Sequence, residues 1–270
     1  AGDPRRLEAA LDREPDVRAR LARLVRAAKV GRHVRLRRQA EGAEIDLDAA
    51  IDAAIAIRSG TTPDTRIFRS STSRDRDLAV MVLVDVSEST RARATAAGES
   101  VLDIERTAVA LLAEALDALR DPLALRAFAS SGRDDVRLLR LKEFAEPYGG
   151  QARARLAGLE PGLSTRLGAA LRHSGAELAA IRAFRKLLIV LTDGEPSDID
   201  VEDPEDLVED ARRAVAKLRT AGIDTFGVTL DPSGVGSGAR IFGAANHMPV
   251  RRLTELPQRL ADLYFRLARA

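Results

Sequence analysis

The sequence predicts an α/β fold: a doubly wound, mostly parallel, six-stranded Rossmann-like sheet with one antiparallel edge strand, preceded by an N-terminal extension of helix and strand. Three observations predict it. From Asp77 onward, short apolar runs alternate with stretches of helical period, the pattern of strands joined by crossover helices. Two of the runs, LAVMVLV (78–84) and KLLIVLT (186–192), are apolar without alternation and read as central strands covered on both faces. The SSGRDD link (130–135) is too short for a crossover helix, so the strands flanking it form an antiparallel hairpin at one edge.

Taken in order, the pattern predicts strands at 78–85, 122–129, 135–141, 186–192, 223–230 and 248–252. The helices between them fall at about 101–120, 150–157, 166–183, 204–221 and 255–269. Leu256, Leu260, Leu263 and Phe265 on the last helix belong to the core. The stretch DPSGVGSGARIFG has the composition of a long mobile connector. Upstream, Leu7, Leu11, Val17, Leu21 and Leu24 recur near helical spacing, with Pro15 dividing the run in two. Residues 1–30 are therefore expected to be a helical appendage that folding does not need. After Gly31, HVRLRRQ alternates like a half-exposed strand, Asp46 is expected to cap a helix that ends at Gly60, and TRIFRSST opens with strand character that pairs with 33–39. Residues 31–76 then form a strand–helix–strand extension packed on the sheet, and residues 77–270 the main domain.

Composition narrows the function classes. The 270 residues are 45% hydrophobic, enough for one large domain or a domain with an appendage. Cysteine is absent, which excludes disulfides, thiolate metal sites and cysteine nucleophiles. No run reaches the roughly 18–20 apolar residues of a membrane span. The opening AGDPRRLEAALDRE is charged where a signal peptide is apolar, so a cytoplasmic location with no membrane partner is expected. The chain opens without Met on a segment that already reads as helix, as a processed chain or a piece of a longer protein does. The formal charge of +2 is the balance of 43 basic and 41 acidic residues. Arg32, Arg35, Arg37 and Arg38 cluster in GRHVRLRRQ, but with aromatics at 3% there is little to stack bases on, and nucleic acid is not expected as a partner.

One stretch breaks the apolar pattern in an informative way. LAVMVLVDVSEST (78–90) ends its buried strand in Asp85, Ser87 and Ser89, oxygen-bearing side chains at i, i+2 and i+4. Alone, such a triplet is a strand leaving the core through a polar turn. Parallel sheets, however, bind ligands at the carboxyl ends of their strands, and LTDG brings Thr192, Asp193 and Gly194 to that edge if the two central strands are neighbours. Between them, PGLSTRLGAAL supplies Ser164 and Thr165; its spacing favours Thr165 as a ligand and Ser164 as a helix cap. Hydroxyls from Ser87, Ser89 and Thr165 with carboxylates from Asp85 and Asp193 are hard oxygen donors, which suit Mg²⁺ or Mn²⁺ and not zinc or copper. Asp198 and Asp200 read as loop solvation and capping, and His173 and His247 as surface or packing residues.

This constellation resembles the metal-ion-dependent adhesion site of von Willebrand factor A domains, with Asp85, Ser87, Ser89, Thr165 and Asp193 matching all five positions in order. A narrower likeness, carried by RDRDLAVMVLVDVSEST, LTDGEPSDID and IFGAANHMPVRRLTELPQRLADLYFRLAR and extended upstream by EGAEIDLDAAIDAAIAIRSG, is to the C-terminal part of the CbbO/NorD family. The resemblance implies that Ser87, Ser89 and in some states Thr165 touch the metal directly, while Asp85 and Asp193 act largely through water. It also implies a non-catalytic adaptor that takes an acidic side chain of a protein client as the ion's last ligand and works with a MoxR-type AAA+ ATPase. Rubisco is the expected client, and nitric oxide reductase maturation the alternative. Glu88 and the acidic PSDIDVEDPED depart from the pattern, and that acidic loop is expected to repel an acidic ligand or hold a partner's Arg.

Enzyme readings fare less well. A haloacid-dehalogenase-like phosphatase needs an Asp where Ser87 stands, GVGSGAR lacks the lysine of a nucleotide-binding P-loop, and DVSES lacks the flanking glycines and relay histidine of a serine hydrolase. A divalent-metal hydrolase is the remaining enzymatic alternative.

Overall fold

The computed structural model describes residues 2–30, 33–73, 77–193, 195–230 and 236–268. The chain divides into two compact units, one of residues 1–23 with 77–270 and one of residues 24–76. The division falls inside a helix and not at residue 30.

Helices α1 (Pro4–Leu11) and α2 (Pro15–Val30) open the chain. Asp3 caps α1, and its side chain accepts the Arg5 N–H at 2.9 Å. Leu7 and Leu11 are buried, the Gly2 N–H donates to the Ala154 carbonyl at 2.8 Å, and Arg153 pairs with Glu8 at 3.2 Å. This burial speaks against the expectation that the first thirty residues are dispensable, since the helical repeat of α1 places Leu7 and Leu11 on one inward face. Leu11→Ala should cost about 2–5 kcal/mol in a denaturant melt; a change under about 0.5 kcal/mol would mean α1 is not part of the folded core.

The smaller unit holds β1 (His33–Gln39), β2 (Glu44–Ile45), α3 (Leu47–Arg58) and β3 (Phe68–Ser73). They form an antiparallel sheet in the order β1-β3-β2, with the expected pairing of 33–39 to the strand near 68. Asp46 sits at the N-cap of α3 but makes no cap hydrogen bond with its side chain, contrary to expectation. Its buried carboxylate accepts from Arg37 Nε and Nη2 at 2.9 and 2.8 Å and from Arg69 Nη2 at 3.1 Å, and the Arg37 hydrogen bonds hold it well below the usual carboxylate range. Arg38 pairs with Asp52 at 2.7 Å. Of the basic cluster, Arg32 and the side chain of Arg35 lie outside the described residues.

In the larger unit, β4 (Leu78–Asp85), β5 (Leu123–Ser130), β6 (Val136–Lys142), β7 (Arg185–Thr192), β8 (Ile223–Thr229) and β9 (His247–Pro249) form a six-stranded sheet in the order β6-β5-β4-β7-β8-β9. Only the β5–β6 pair is antiparallel. The sheet is of the predicted class, and its order reverses between β4 and β7, where such sheets bind ligands. All eight residues of β4 are buried, as an unbroken apolar run demands. Helices α6 (Leu167–Ala179), α7 (Pro204–Thr220) and the short α8 (Gly238–Phe242) cover one face, where Met81, Leu83, Phe128, Leu171, Val190, Val208 and Phe242 share a core. On the other face, α4 (Val101–Leu119) packs with α5 (Gly150–Ala157), α9 (Leu256–Leu267) and α1. Leu256, Leu260, Leu263 and Phe265 are buried as expected. A reciprocal capping box between Ser100 and Asp103 fixes the start of α4. Strand β9 is shorter than predicted because the chain turns at Leu253–Glu255 to enter α9, and residues 231–235 of the glycine-rich connector lie outside the described residues. Among the described residues no helix is long and apolar enough to cross a membrane.

Candidate metal centre

At the carboxyl end of β4 the backbone folds back on the last residue of the strand. Asp85 Oδ1 accepts the Ser87 N–H at 2.9 Å, closing an Asx-type turn, and Thr90 Oγ1 donates to the Ser87 carbonyl at 2.8 Å. The turn sets Ser87 Oγ and Ser89 Oγ 3.0 Å apart. Strand β7 runs alongside in parallel, so Thr192 reaches across and donates to Asp85 Oδ2 at 2.9 Å. Thr165 Oγ1 lies 3.4 Å from Asp85 Oδ1. Asp85, Ser87, Ser89 and Thr165 thus form one contact chain.

Backbone hydrogen bonds tie the surrounding loops together. Gly162 N–H donates to the Val86 carbonyl at 2.9 Å and Glu88 N–H to the Leu163 carbonyl at 3.0 Å. Leu163 adopts a left-handed φ of 67° to make that register, a conformation costing a residue with a side chain about 1–2 kcal/mol. Ser130 and Ser164 exchange both N–H···O bonds, and Thr165 N–H donates to the Ser197 carbonyl at 2.8 Å.

Ser87, Ser89, Thr165 and Asp193 line a single cavity of about 420 Å³, with Glu88 and Ser164 also on its wall. Asp85 lies beneath it, fully buried. Asp193 is half-buried, and its Oδ1 accepts the Glu195 N–H at 3.1 Å. Gly194 lies outside the described residues. All five expected positions therefore meet at one sheet edge. Glu88 is exposed on the rim, and the guanidinium of Arg91, hydrogen-bonded to it, holds its carboxyl below the usual range.

Buried carboxyl groups gather here without a cation paired to them. Burial, with the charge of Asp193 added, pushes the Asp85 carboxyl up to about 7 against the opposing hydrogen bonds from Ser87 and Thr192. Behind it, Glu105 on α4 is completely buried, and neither of its carboxylate oxygens has a hydrogen-bond partner among the described residues. Burial first, then the charges of Asp85 and Asp193, push it well above the ordinary value. No Lys, Arg or His among the described residues pairs with Asp85, Asp193 or Glu105. A hard divalent cation is the group that fits these donors, since hydroxyls and carboxylates are what Mg²⁺ and Mn²⁺ accept and the buried charge calls for compensation. Among the described residues no group of three His, Cys, Asp or Glu side chains is placed to ligate one ion, so the candidate ligand set must draw on hydroxyls.

Three sequence expectations change here. Ser164 does not cap α6, whose N-cap is Arg166 without a side-chain cap bond; Ser164 is held in an extended bridge to Ser130 instead. Asp198 does not serve loop solvation: its side chain is inaccessible and accepts from Ser130 Oγ at 2.9 Å, Gly132 N–H at 2.7 Å, Ile199 N–H at 2.8 Å and Arg166 Nε at 2.8 Å. Asp200 accepts the Arg133 N–H at 2.8 Å and also pairs with Arg166, so this part of the acidic loop holds the chain's own arginine. His173 is exposed near Glu177, and His247 hydrogen-bonds Thr229 at 2.7 Å. Sequence reasoning missed Glu105. Its signal was a charged residue in register with Leu102, Ala108, Val109 and Leu112, the inward face of α4.

No protein-family model matches the chain. Over 249 residues, 92% of its length, it is 37% identical to protein NorD of Brucella melitensis, and over 216 residues, 80% of its length, 36% identical to protein NorD of Stutzerimonas stutzeri. An uncharacterized protein of Pseudomonas aeruginosa is 40% identical over 235 residues. The chain spans only 35–39% of the length of these relatives. Among solved structures, the PilB minor pilin from Streptococcus sanguinis superposes with a TM-score of 0.60 at 15% identity, covering 73% of this chain and 62% of that one. The vWF domain of the type V pilus tip protein Mfa5 from Porphyromonas gingivalis does so with a TM-score of 0.53 at 10% identity, covering 73% of this chain and 95% of that one. The chain is NorD-like in sequence and of the von Willebrand factor A type in fold.

Proposed function

We propose that this region is a divalent-cation-dependent protein-binding module, and that within a NorD-like protein it engages a client for maturation of nitric oxide reductase. The observation that carries the reading is the convergence of Ser87, Ser89, Thr165 and Asp193 on one open cavity above the buried Asp85. Ser87, Ser89 and Thr165 present neutral oxygens to a Mg²⁺ or Mn²⁺ ion, while Asp85 orients the turn through the Ser87 N–H and Thr165 hydroxyl. Bound there, such an ion would keep a coordination position open on the cavity side, which a client's Glu or Asp can fill. The module itself is non-catalytic in this reading; a MoxR-type AAA+ ATPase in the cytoplasm supplies the work. The relatives' names favour the nitric oxide reductase alternative over the Rubisco client expected from sequence.

The reading predicts the same dependence from both sides of the contact. Chelation, or removal of one acidic residue from the client, should abolish the same increment of affinity, and both together should cost little more than either alone. An ordinary exposed ion pair is worth about 0–1 kcal/mol and fades with salt, not with chelator. A double-mutant cycle between Ser87→Ala and an acidic-to-Ala scan of the client, read by pull-down, decides it. Strict additivity at every acidic position would mean the client is held elsewhere.

A further inference from the structure

Glu105 stands on a helix face otherwise built of Leu, Ala and Val, with zero exposure and no partner for either oxygen among the described residues. Leaving an ionised carboxylate in that state is strongly unfavourable, and the protonated form would still bury a hydroxyl donor with no acceptor. A side chain of similar volume without charge would fill the space at no such cost, so something must compensate the carboxylate. The neighbouring cation, Arg106, offsets it only in part: its charge lowers the Glu105 pKa against the larger effect of burial, but its guanidinium hydrogen-bonds Asp103 and the Leu159 carbonyl and not Glu105. The helix carrying Glu105 packs on the turn that carries Ser89, at the same strand end as Asp85.

We propose that Glu105 is an interior carboxylate of the candidate metal centre, retaining a divalent cation through its charge and bridging water from the protein side without occupying a coordination position. The inference rests on the reading of this edge as a cation site. It accords with the absence of any three acidic or imidazole side chains close enough to share one ion among the described residues. Charge placed behind the ion in a water-poor interior acts at low effective dielectric, so it raises affinity while leaving the cavity side free for a client's carboxylate. The raised pKa of Glu105, caused by burial and then by Asp85 and Asp193, has the same origin.

The test is calorimetric titration of the full chain with Mn²⁺ and with Mg²⁺, beside melting curves taken in chelator. Glu105→Gln, nearly isosteric and neutral, should bind about 10–100-fold more weakly than wild type, yet melt in chelator at the same or a higher temperature. Glu105→Met, which fills the space without a polar atom, is the second variant and should lose affinity in the same way. A residue with only a packing role would shift the melt and leave the affinity alone; wild-type affinity in either folded variant overturns the proposal and leaves the cation site standing. If wild type takes up neither ion, the site reading falls first, and the role of Glu105 with it.

Discussion

Asp85→Ala is expected to abolish Mg²⁺ and Mn²⁺ binding while the chain still folds cooperatively. The loss follows from what the carboxylate holds: Oδ1 fixes the Ser87 N–H and meets the Thr165 hydroxyl, and Oδ2 accepts from Thr192. Without it the turn that sets the two serine hydroxyls 3.0 Å apart loses its tie to the sheet, and the site loses a buried carboxyl group. The stability change has opposing parts. Each buried donor left without an acceptor costs about 1–3 kcal/mol, while removal of a carboxyl whose ionisation the interior disfavours gives some of that back. Wild type should also gain stability with added ion, about 2.7 kcal/mol at a hundredfold excess over Kd, and the variant none. Calorimetric titration and denaturant melts with and without Mg²⁺ measure both quantities, and undiminished affinity in Asp85→Ala would remove the residue from the site.

Asp85 was legible in the sequence because its signal is local. An apolar run long enough for a central strand, ending in oxygen donors at alternate positions, states both where the strand stops and what stands there. The hairpin at the sheet edge was legible for the same reason, since a six-residue link leaves one geometry open. Other residues were not legible because their meaning comes from partners far along the chain. Asp198 lies 32 residues from Arg166 and 66 from Gly132, and a run of acids in a polar loop looks solvated until those partners are in place. Glu105 sits beside Asp103 and Arg106 in DIER, where it reads as part of a polar face; only the packing of α4 on the sheet turns it inward. Asp46 occupies the position a helix cap should, yet two arginines from neighbouring strands take its carboxylate first. For Asp198 and Asp46 an ionic partner from another element outcompeted the local role that sequence spacing suggests; for Glu105 helix packing did so without supplying a partner.

Asp198→Ala is expected to be the most destabilising single change near the site, by about 3–5 kcal/mol, because it breaks a buried ion pair from one side. The Arg166 guanidinium, itself largely buried, would keep only Asp200, and the Gly132 and Ile199 N–H groups and the Ser130 hydroxyl would lose their acceptor. The effect should reach the candidate metal centre, since Arg166 follows Thr165 directly and the Thr165 N–H is held by Ser197, the neighbour of Asp198. Weaker Mg²⁺ binding should therefore accompany the lost stability, unlike Leu11→Ala, where stability falls and ion affinity stays. A pH series supplies an independent check. Burial alone would raise the Asp198 carboxyl, but the Gly132, Ile199, Arg166 and Ser130 hydrogen bonds outweigh it and hold the group below its usual value. A folded-state pKa below the unfolded one means that stabilisation is complete above an unfolded value of about 3.9 and is lost as pH falls through the folded value. The gap between wild type and Asp198→Asn should accordingly stay constant from neutral pH down to about 4.5 and narrow only below that. A gap that closes already between pH 7 and 6 would show that another group carries the coupling, and that Asp198 is not the latch joining the hairpin turn to the Thr165 loop.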